Sequence, residues 1–288
     1  MNILVTGGRG QLGQSIRKVS GEYPDCSFLF TDLPEADITD AEVIGRLIEE
    51  NGIDTIINCA AFTSAERAER DCGDEALWVN IHGPMVLASV AKAHGVGMVH
   101  VSTDYVFDGE SSVPYTEEAA TGPLNVYGIT KLGGESGALA TGADLVIVRT
   151  SWLYSEFGAN FMKTMLSLAE RNGEVWVVND QTGSPTYATD LARAIMVLVG
   201  RGIEGQGIYH FSDAGEVTWY DFTKEIFRQA GVGAKVNPIT SIEYPSPVKR
   251  PAYSVLDTSK IREAGAVVPQ WKDSLGVCLA ALKAPEAK

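Results

Sequence analysis

A glycine turn joins an apolar run to an amphipathic one within the first nineteen residues. Asn2-Ile3-Leu4-Val5-Thr6 has the β-branched character of a buried strand, and Gln11–Val19 repeats apolar positions at helical spacing. Between them, Gly7-Gly8-Arg9-Gly10-Gln11-Leu12-Gly13 places glycine at 7, 10 and 13. A helix that opens directly after a strand turns its unpaired N–H groups, and about half a positive charge, toward the strand's end. That is an anion site made from backbone alone. Gly7 permits the turn, Gly10 lets main chain approach a pyrophosphate, and Gly13 lets the helix close on the strand. A glycine-rich loop by itself is merely flexible. The flanking strand and helix make this one a dinucleotide cradle.

Four further apolar runs follow, at residues 27–31, 54–58, 97–101 and 145–149. Each is apolar on both faces, as strands of a covered parallel sheet are. Amphipathic segments lie between them. Residues 40–50 put Val43, Ile44, Leu47 and Ile48 on one face, and residues 75–94 carry a long apolar stripe. Strands alternating with helices imply right-handed βαβ units. The predicted fold is therefore α/β, a Rossmann-like doubly wound parallel sheet with a smaller, mixed C-terminal substrate lobe. After residue 150 the pattern loosens. Helical stretches near 160–171, 190–199 and 220–229 are separated by Gly- and Pro-rich connections, and residues 239–251 read as irregular. The expected division is a dinucleotide-binding domain at 1–150 and a substrate lobe at 151–288, with segments free to interleave.

Charge narrows the partners. Lys plus Arg number 23 against 37 Asp plus Glu, a net charge of −14. An acidic surface repels phosphate backbones, so no nucleic-acid partner is expected. No apolar run approaches the ~20 residues that cross a bilayer, and the opening MNILVTGG lacks a basic-then-apolar leader, so no membrane partner is expected. Cys26, Cys59, Cys72 and Cys278 form no C-x-x-C pair, and none has a His at zinc-ligand spacing. They read as free thiols of a reducing compartment, the cytoplasm.

Asp32 closes the second apolar run, 19 residues past Gly13. An acid there accepts hydrogen bonds from ribose hydroxyls and disfavours a 2′-phosphate, which tilts the choice toward NADH. Arg9 in the turn pulls the other way. Asp37 and Ile38 stand where they would flank an adenine. After the third run, Cys59-Ala60-Ala61-Phe62-Thr63 keeps side chains small enough for a ligand to lie over the strand ends.

Ser102-Thr103-Asp104-Tyr105 ends the fourth run, and strand C-termini are where doubly wound sheets bind ligands. Tyr127 and Lys131 follow at i and i+4, on one helix face. A phenol has a pKa of about 10, and a cation ~4 Å away contributes roughly 4 kcal/mol at an effective dielectric near 20. At about 1.4 kcal/mol per pH unit, Lys131 is expected to bring Tyr127 toward about 7, where it serves as a proton donor. Thr103 would hydrogen-bond a carbonyl oxygen as charge builds on it. Lys131 would also hold a nicotinamide ribose. Y-x-x-x-K alone is a common surface pattern. Its weight here comes from the Ser-Thr pair and the glycine turn before it.

These residues resemble the extended short-chain dehydrogenase/reductase family and, within it, the dTDP-4-dehydrorhamnose reductases. The likeness rests on V-S-T-D-Y-V-F-D-G at 101–109, P-L-N-V-Y-G at 123–128, R-T-S-W-L-Y at 149–154, D-Q-T-G-S-P-T at 180–186 and R-P-A-Y-S-V-L at 250–256. It implies reduction, by NADPH or NADH, of dTDP-4-dehydro-β-L-rhamnose at its C4 keto group. It also implies roles: Thr103 polarises the carbonyl, Tyr127 is the acid and Lys131 its partner. Asp104 and Trp152 would contact the sugar. Gly10, Gln11, Leu12, Asp32, Asp37, Ile38, Ala61, Phe62 and Thr63 would contact the cofactor, with Gly7, Gly13, Ala60 and Ser102 beside them. Asn160 and Arg250 would reach the nucleotide end. Some relatives are homodimers around an interfacial Mg²⁺. A homodimer is carried forward, but no carboxylate cluster is placed here and no metal is expected. Two competing readings follow from the same superfamily: another nucleotide-sugar reductase or epimerase, or a non-catalytic subunit that regulates methionine adenosyltransferase. The intact Thr103, Tyr127 and Lys131 favour catalysis.

Overall fold

The longer strands of the computed structural model, which describes residues 1–284, are β1 (Asn2–Thr6), β2 (Ser27–Phe30), β3 (Thr55–Asn58), β4 (Gly97–Thr103), β5 (Leu145–Thr150), β6 (Glu174–Val178), β7 (Gln206–Phe211) and β8 (Lys235–Ile239). All but β6 and β8 form one parallel sheet in the order β7-β5-β4-β3-β1-β2. Around it lie α1 (Gln11–Val19), α2 (Ala41–Asn51), α3 (Ala65–Arg70), α4 (Gly83–His94), α5 (Val126–Ala140), α6 (Phe161–Asn172), α7 (Ala188–Gly200), α8 (Trp219–Ala230) and α9 (Trp271–Lys283).

Both sheet faces are covered, as the apolar strands require. On one face, Leu12, Ile16 and Val19 of α1 meet Leu191 and Ile195 of α7 over Ile3 and Val5. On the other, Ile44 of α2, Leu87 of α4 and Ala138 of α5 bury Leu4, Ile56 and Ile147. From β1 the chain goes first to β2 on one side, then to β3, β4 and β5 on the other. That reversal opens a crevice at the carboxyl ends of β1 and β3.

The second half re-enters this layer. Helix α7 packs on α1, and β7 pairs along the whole of β5 as the sixth strand. Neither the strand at 206–211 nor its return to the sheet was expected from the sequence. The remaining elements build a separate core from Tyr154, Met162, Phe222, Ile226, Trp271 and Leu275. Within it β6 and β8 pair in parallel. Residues 285–288 of the expected lobe lie outside the described residues. The helix expected over 75–94 is interrupted by a π turn, Trp78–His82, that turns Asn80 into the interior.

Candidate active site

A cavity of about 870 Å³ opens along the carboxyl ends of the central strands, between the sheet and the smaller lobe. Gly10, Gln11 and Leu12 line one part of it; Thr103, Tyr127 and Lys131 line another.

The glycine turn fits a phosphate cradle. Gly7 has φ +65, and a Cβ on it would stand 2.6 Å from the Ala60 nitrogen. A Cβ on Gly13 would stand 2.4 Å from the Gly7 carbonyl oxygen. Gly10 is less confined, with a single neighbour at 3.2 Å. It is the N-cap of α1, and no side chain caps that helix. Side chains cap α2, α5 and α6 through Asp40, Asn125 and Asn160, whereas α4, α7 and α9, like α1, start without one. The uncapped N–H groups of α1 are therefore free to hold an anion. The Gln11 carboxamide oxygen accepts from Ser155 Oγ and Asn160 Nδ2, both at 2.9 Å, which ties the turn to the smaller lobe.

Asp32 stands beside the turn. Its carboxylate accepts the N–H groups of Arg9 at 2.8 Å and Leu33 at 2.9 Å. Arg9 donates to the Leu33 carbonyl and pairs with Glu35 at 2.6 Å, so an arginine and an acid stand together beside the turn. Asp37 and Ile38 are not on the cavity wall. The Asp37 carboxylate receives Thr39 N and Oγ1, and Ile38 is buried against Gly83. Of the segment after β3, Cys59, Ala61 and Thr63 line the cavity. Ala60 N donates to Asn58 Oδ1 at 3.1 Å. Phe62 is buried, and Asn80 clamps both its N–H and its carbonyl, at 2.8 and 2.9 Å. Asn80 has no signal in the sequence, because the π turn that aims it inward is set by packing.

Ser102, Thr103, Asp104, Tyr127 and Lys131 line the same cavity. The electrostatics do not follow the simple arithmetic. The Lys131 ammonium is 2% exposed and donates to the Val101 carbonyl at 2.7 Å. Burial lowers its pKa to about 8, with Glu135 and Cys59 pulling it back up. The Tyr127 phenol is not acidified. Burial pushes it up to about 12; a hydrogen bond with Thr103 opposes this, and the Asp104 charge adds to it. Same-face spacing brings the two side chains to one wall, but the ammonium donates its hydrogen bond to the Val101 carbonyl rather than to the phenol. Behind Lys131, Glu135 and Arg149 form a buried bidentate pair, Nε–Oε1 3.0 Å and Nη2–Oε2 2.7 Å.

Asp104 accepts from Thr103 Oγ1 at 3.1 Å through Oδ1, while its Oδ2 is buried without a partner. Burial raises its carboxyl to about 7, against the hydrogen bond from Thr103. Trp152 lies on the wall in a left-handed backbone conformation, φ 47, which is strained for a non-glycine residue. Its ring stacks on Trp219 at 3.5 Å and lies so close to Gly183 that a Cβ there would be 2.5 Å from it. Asn160 lines the cavity, but its amide is committed to Gln11, Ser155 and Phe157. Arg250 lies half-buried on the wall, donating to Ser246 Oγ at 2.8 Å and paired with Glu66 of α3. Glu66, Trp176, Gln181 and Tyr244 also line the cavity and were not anticipated. Among the described residues no three His, Cys, Asp or Glu converge as a metal-binding group, and no helix is long and apolar enough to cross a membrane.

Residues 1–284 match the family model described as RmlD substrate binding domain. The chain belongs to this family. A dTDP-4-dehydrorhamnose reductase of Sinorhizobium fredii is 39% identical over 284 residues, covering 95% of each chain. The solved structure of a dTDP-4-dehydrorhamnose reductase from Clostridium acetobutylicum superposes with a TM-score of 0.92 at 40% identity, covering 99% of this chain and 100% of that one. One from Bacillus anthracis, solved in complex with NADP, has a TM-score of 0.90 at 34% identity, covering 97% and 99%. Membership in the RmlD family agrees with the resemblance read from the five sequence strings, each of which has a place in this fold.

Proposed function

We propose that this chain reduces the C4 keto group of dTDP-4-dehydro-β-L-rhamnose, giving dTDP-L-rhamnose, with NADPH or NADH as reductant. One observation carries the reading: Thr103, Tyr127 and Lys131 share a cavity wall with an uncapped helix start behind a glycine turn. The family and its relatives, one of them solved with NADP, support the substrate and the cofactor.

The dinucleotide supplies the hydride. The chain's own residues do the rest. Gly7, Gly10 and Gly13 let backbone approach the pyrophosphate, and Asp32 with Arg9 meets the adenosine ribose. Thr103 orients the keto oxygen toward the Tyr127 hydroxyl. With its pKa at about 12, that phenol is fully protonated at neutral pH and gives its proton to the more basic alkoxide. Lys131 holds positive charge beneath the site. Trp152 offers a flat apolar face to the sugar. Phe62, clamped by Asn80, supports the segment after β3 from inside the fold.

Two further readings belong with this one. The chain acts as a homodimer, a reading supported by the exposed apolar Trp78, Met85 and Ile129, 56%, 38% and 51% exposed on the π turn, α4 and α5. It works in the cytoplasm, as four free cysteines suit a reducing compartment.

Mixing the protein with NADPH or NADH and a panel of nucleotide 4-keto sugars tests the activity. Reduced-nicotinamide absorbance is expected to fall with the dTDP-linked 4-keto-6-deoxy sugar. Tyr127→Phe should cut turnover about 10²- to 10⁴-fold and leave cofactor affinity intact. Normal turnover in that variant refutes the assignment.

A further inference from the structure

Among the described residues three cations line the cavity: Lys131, Arg250 and Arg9. Lys131 is committed to the Val101 carbonyl, and Arg250 to Glu66 and Ser246. Arg9 stands in the glycine turn and is bonded at both ends. Its N–H donates to Asp32 Oδ2 at 2.8 Å, and its carbonyl accepts Gln14 Nε2 at 2.7 Å. Its guanidinium runs back along the segment after β2, with Nη1 on the Leu33 carbonyl at 2.7 Å and Nη2 on Glu35 Oε1 at 2.6 Å. Glu35 is charged there: its own N–H and the Arg9 guanidinium hold its carboxyl below the ordinary value. The two side chains are 64% and 56% exposed, so water competes for the pair and it breaks readily.

The two nicotinamide dinucleotides differ by one phosphate, on the 2′ oxygen of the adenosine ribose. In a doubly wound fold that oxygen meets the acid just past the second strand. Here the acid is Asp32, and the Arg9 main chain is bonded to it. A phosphate arriving beside Asp32 therefore arrives beside Arg9, whose planar fork of donors suits it. That fork is already engaged. To meet the phosphate it must leave Glu35, and the carboxylate left behind is a second negative charge near the incoming one. A 2′-hydroxyl asks for neither change, because Asp32 accepts it with Arg9 in place. Asp32 and Arg9 pull the choice of dinucleotide in opposite directions, and Glu35 decides between them.

We propose that Glu35 is a specificity-determining residue for the reductant: by holding Arg9, it disfavours NADPH relative to NADH. This deepens the cofactor reading. It rests on the dinucleotide lying over the glycine turn and is independent of the sugar.

The test is calorimetry with NADPH and with NADH on the parent, Glu35→Gln, Arg9→Ala and the double variant. Glutamine keeps an oxygen for Arg9 and removes the charge. Glu35→Gln should tighten NADPH about 3- to 30-fold, as an exposed ion pair is released and a charge-assisted bond to phosphate is gained at a water-facing site. NADH should stay within about twofold, since no phosphate reaches the pair. On the Arg9→Ala background the same substitution should change NADPH by less than about twofold, because the cation it frees is gone. Unchanged NADPH affinity in Glu35→Gln overturns the proposal. So does an equal tightening of NADH, which makes Glu35 a general repellent of the pyrophosphate. A gain that survives undiminished without Arg9 overturns it too. A parent that binds neither dinucleotide refutes the cofactor reading and the proposal together. A parent that shows the Glu35 effect in binding, yet turns over no nucleotide 4-keto sugar, refutes the reaction and retains the selectivity.

Discussion

Asp104→Asn isolates one buried carboxyl at the reacting end of the cavity. Asparagine keeps an oxygen to accept the Thr103 hydroxyl, as Asp104 Oδ1 does at 3.1 Å, and it cannot ionise. In the folded protein burial lifts this carboxyl from 3.8 to about 7. A raised folded pKa means that the native state keeps a proton which the unfolded chain has released. The contribution to stability is thus complete below about pH 4 and is lost as pH rises through about 7. The whole span is about 4 kcal/mol, at about 1.4 kcal/mol per pH unit; between pH 5.5 and 7 it is about 2 kcal/mol. Urea unfolding of both proteins from pH 5.5 to 8 reads the difference directly. Asp190 and Asp213, whose carboxyls burial also raises, titrate alike in both proteins and cancel. The variant should gain on the parent by about 2 kcal/mol up to pH 7 and stay level beyond. Stability curves that run parallel over that range mean that Asp104 titrates like an exposed acid, and the argument from burial fails.

Other perturbations test the cradle and its support. Gly13→Ala places a Cβ 2.4 Å from the Gly7 carbonyl and should lower dinucleotide affinity at least about 10-fold by calorimetry, whereas Gly10→Ala, with one neighbour at 3.2 Å, should lose less. Asp32→Ala should weaken NADH more than NADPH; equal losses would show that the carboxylate serves only Arg9 and Leu33. Glu135→Gln leaves Arg149 buried without its counter-charge and should cost about 3–5 kcal/mol in urea unfolding. It should also lower the Lys131 pKa below about 8, seen as an earlier alkaline fall in kcat/KM.

Legibility in the sequence followed locality. The turn, β1 and α1 were readable because each signal is complete within the first nineteen residues. Five strands and most helices were readable from apolar period alone. Strand β7 was not: Gln-Gly-Ile-Tyr-His-Phe lies at the sheet edge, where one side is unpaired and the apolar demand is weaker. Trp176 was unreadable for a related reason. Val-Trp-Val-Val reads as buried on both faces, and only the lobe's packing shows which side stays open.

The Tyr127–Lys131 pair shows where spacing stops being evidence. Helical geometry at i and i+4 fixes which wall two side chains share, and both are on the cavity. It does not fix where a flexible four-carbon stem ends. The Lys131 stem is buried, and a buried ammonium must find an acceptor. The nearest one satisfied here is the Val101 carbonyl on β4, 30 residues earlier in the chain and beyond the reach of any local pattern. Once that contact is made, the phenol keeps its proton under the opposing pulls of burial, Thr103 and Asp104. The acid of this site is then strong only relative to the alkoxide it must protonate. Its tuning lies with β4 as much as with α5.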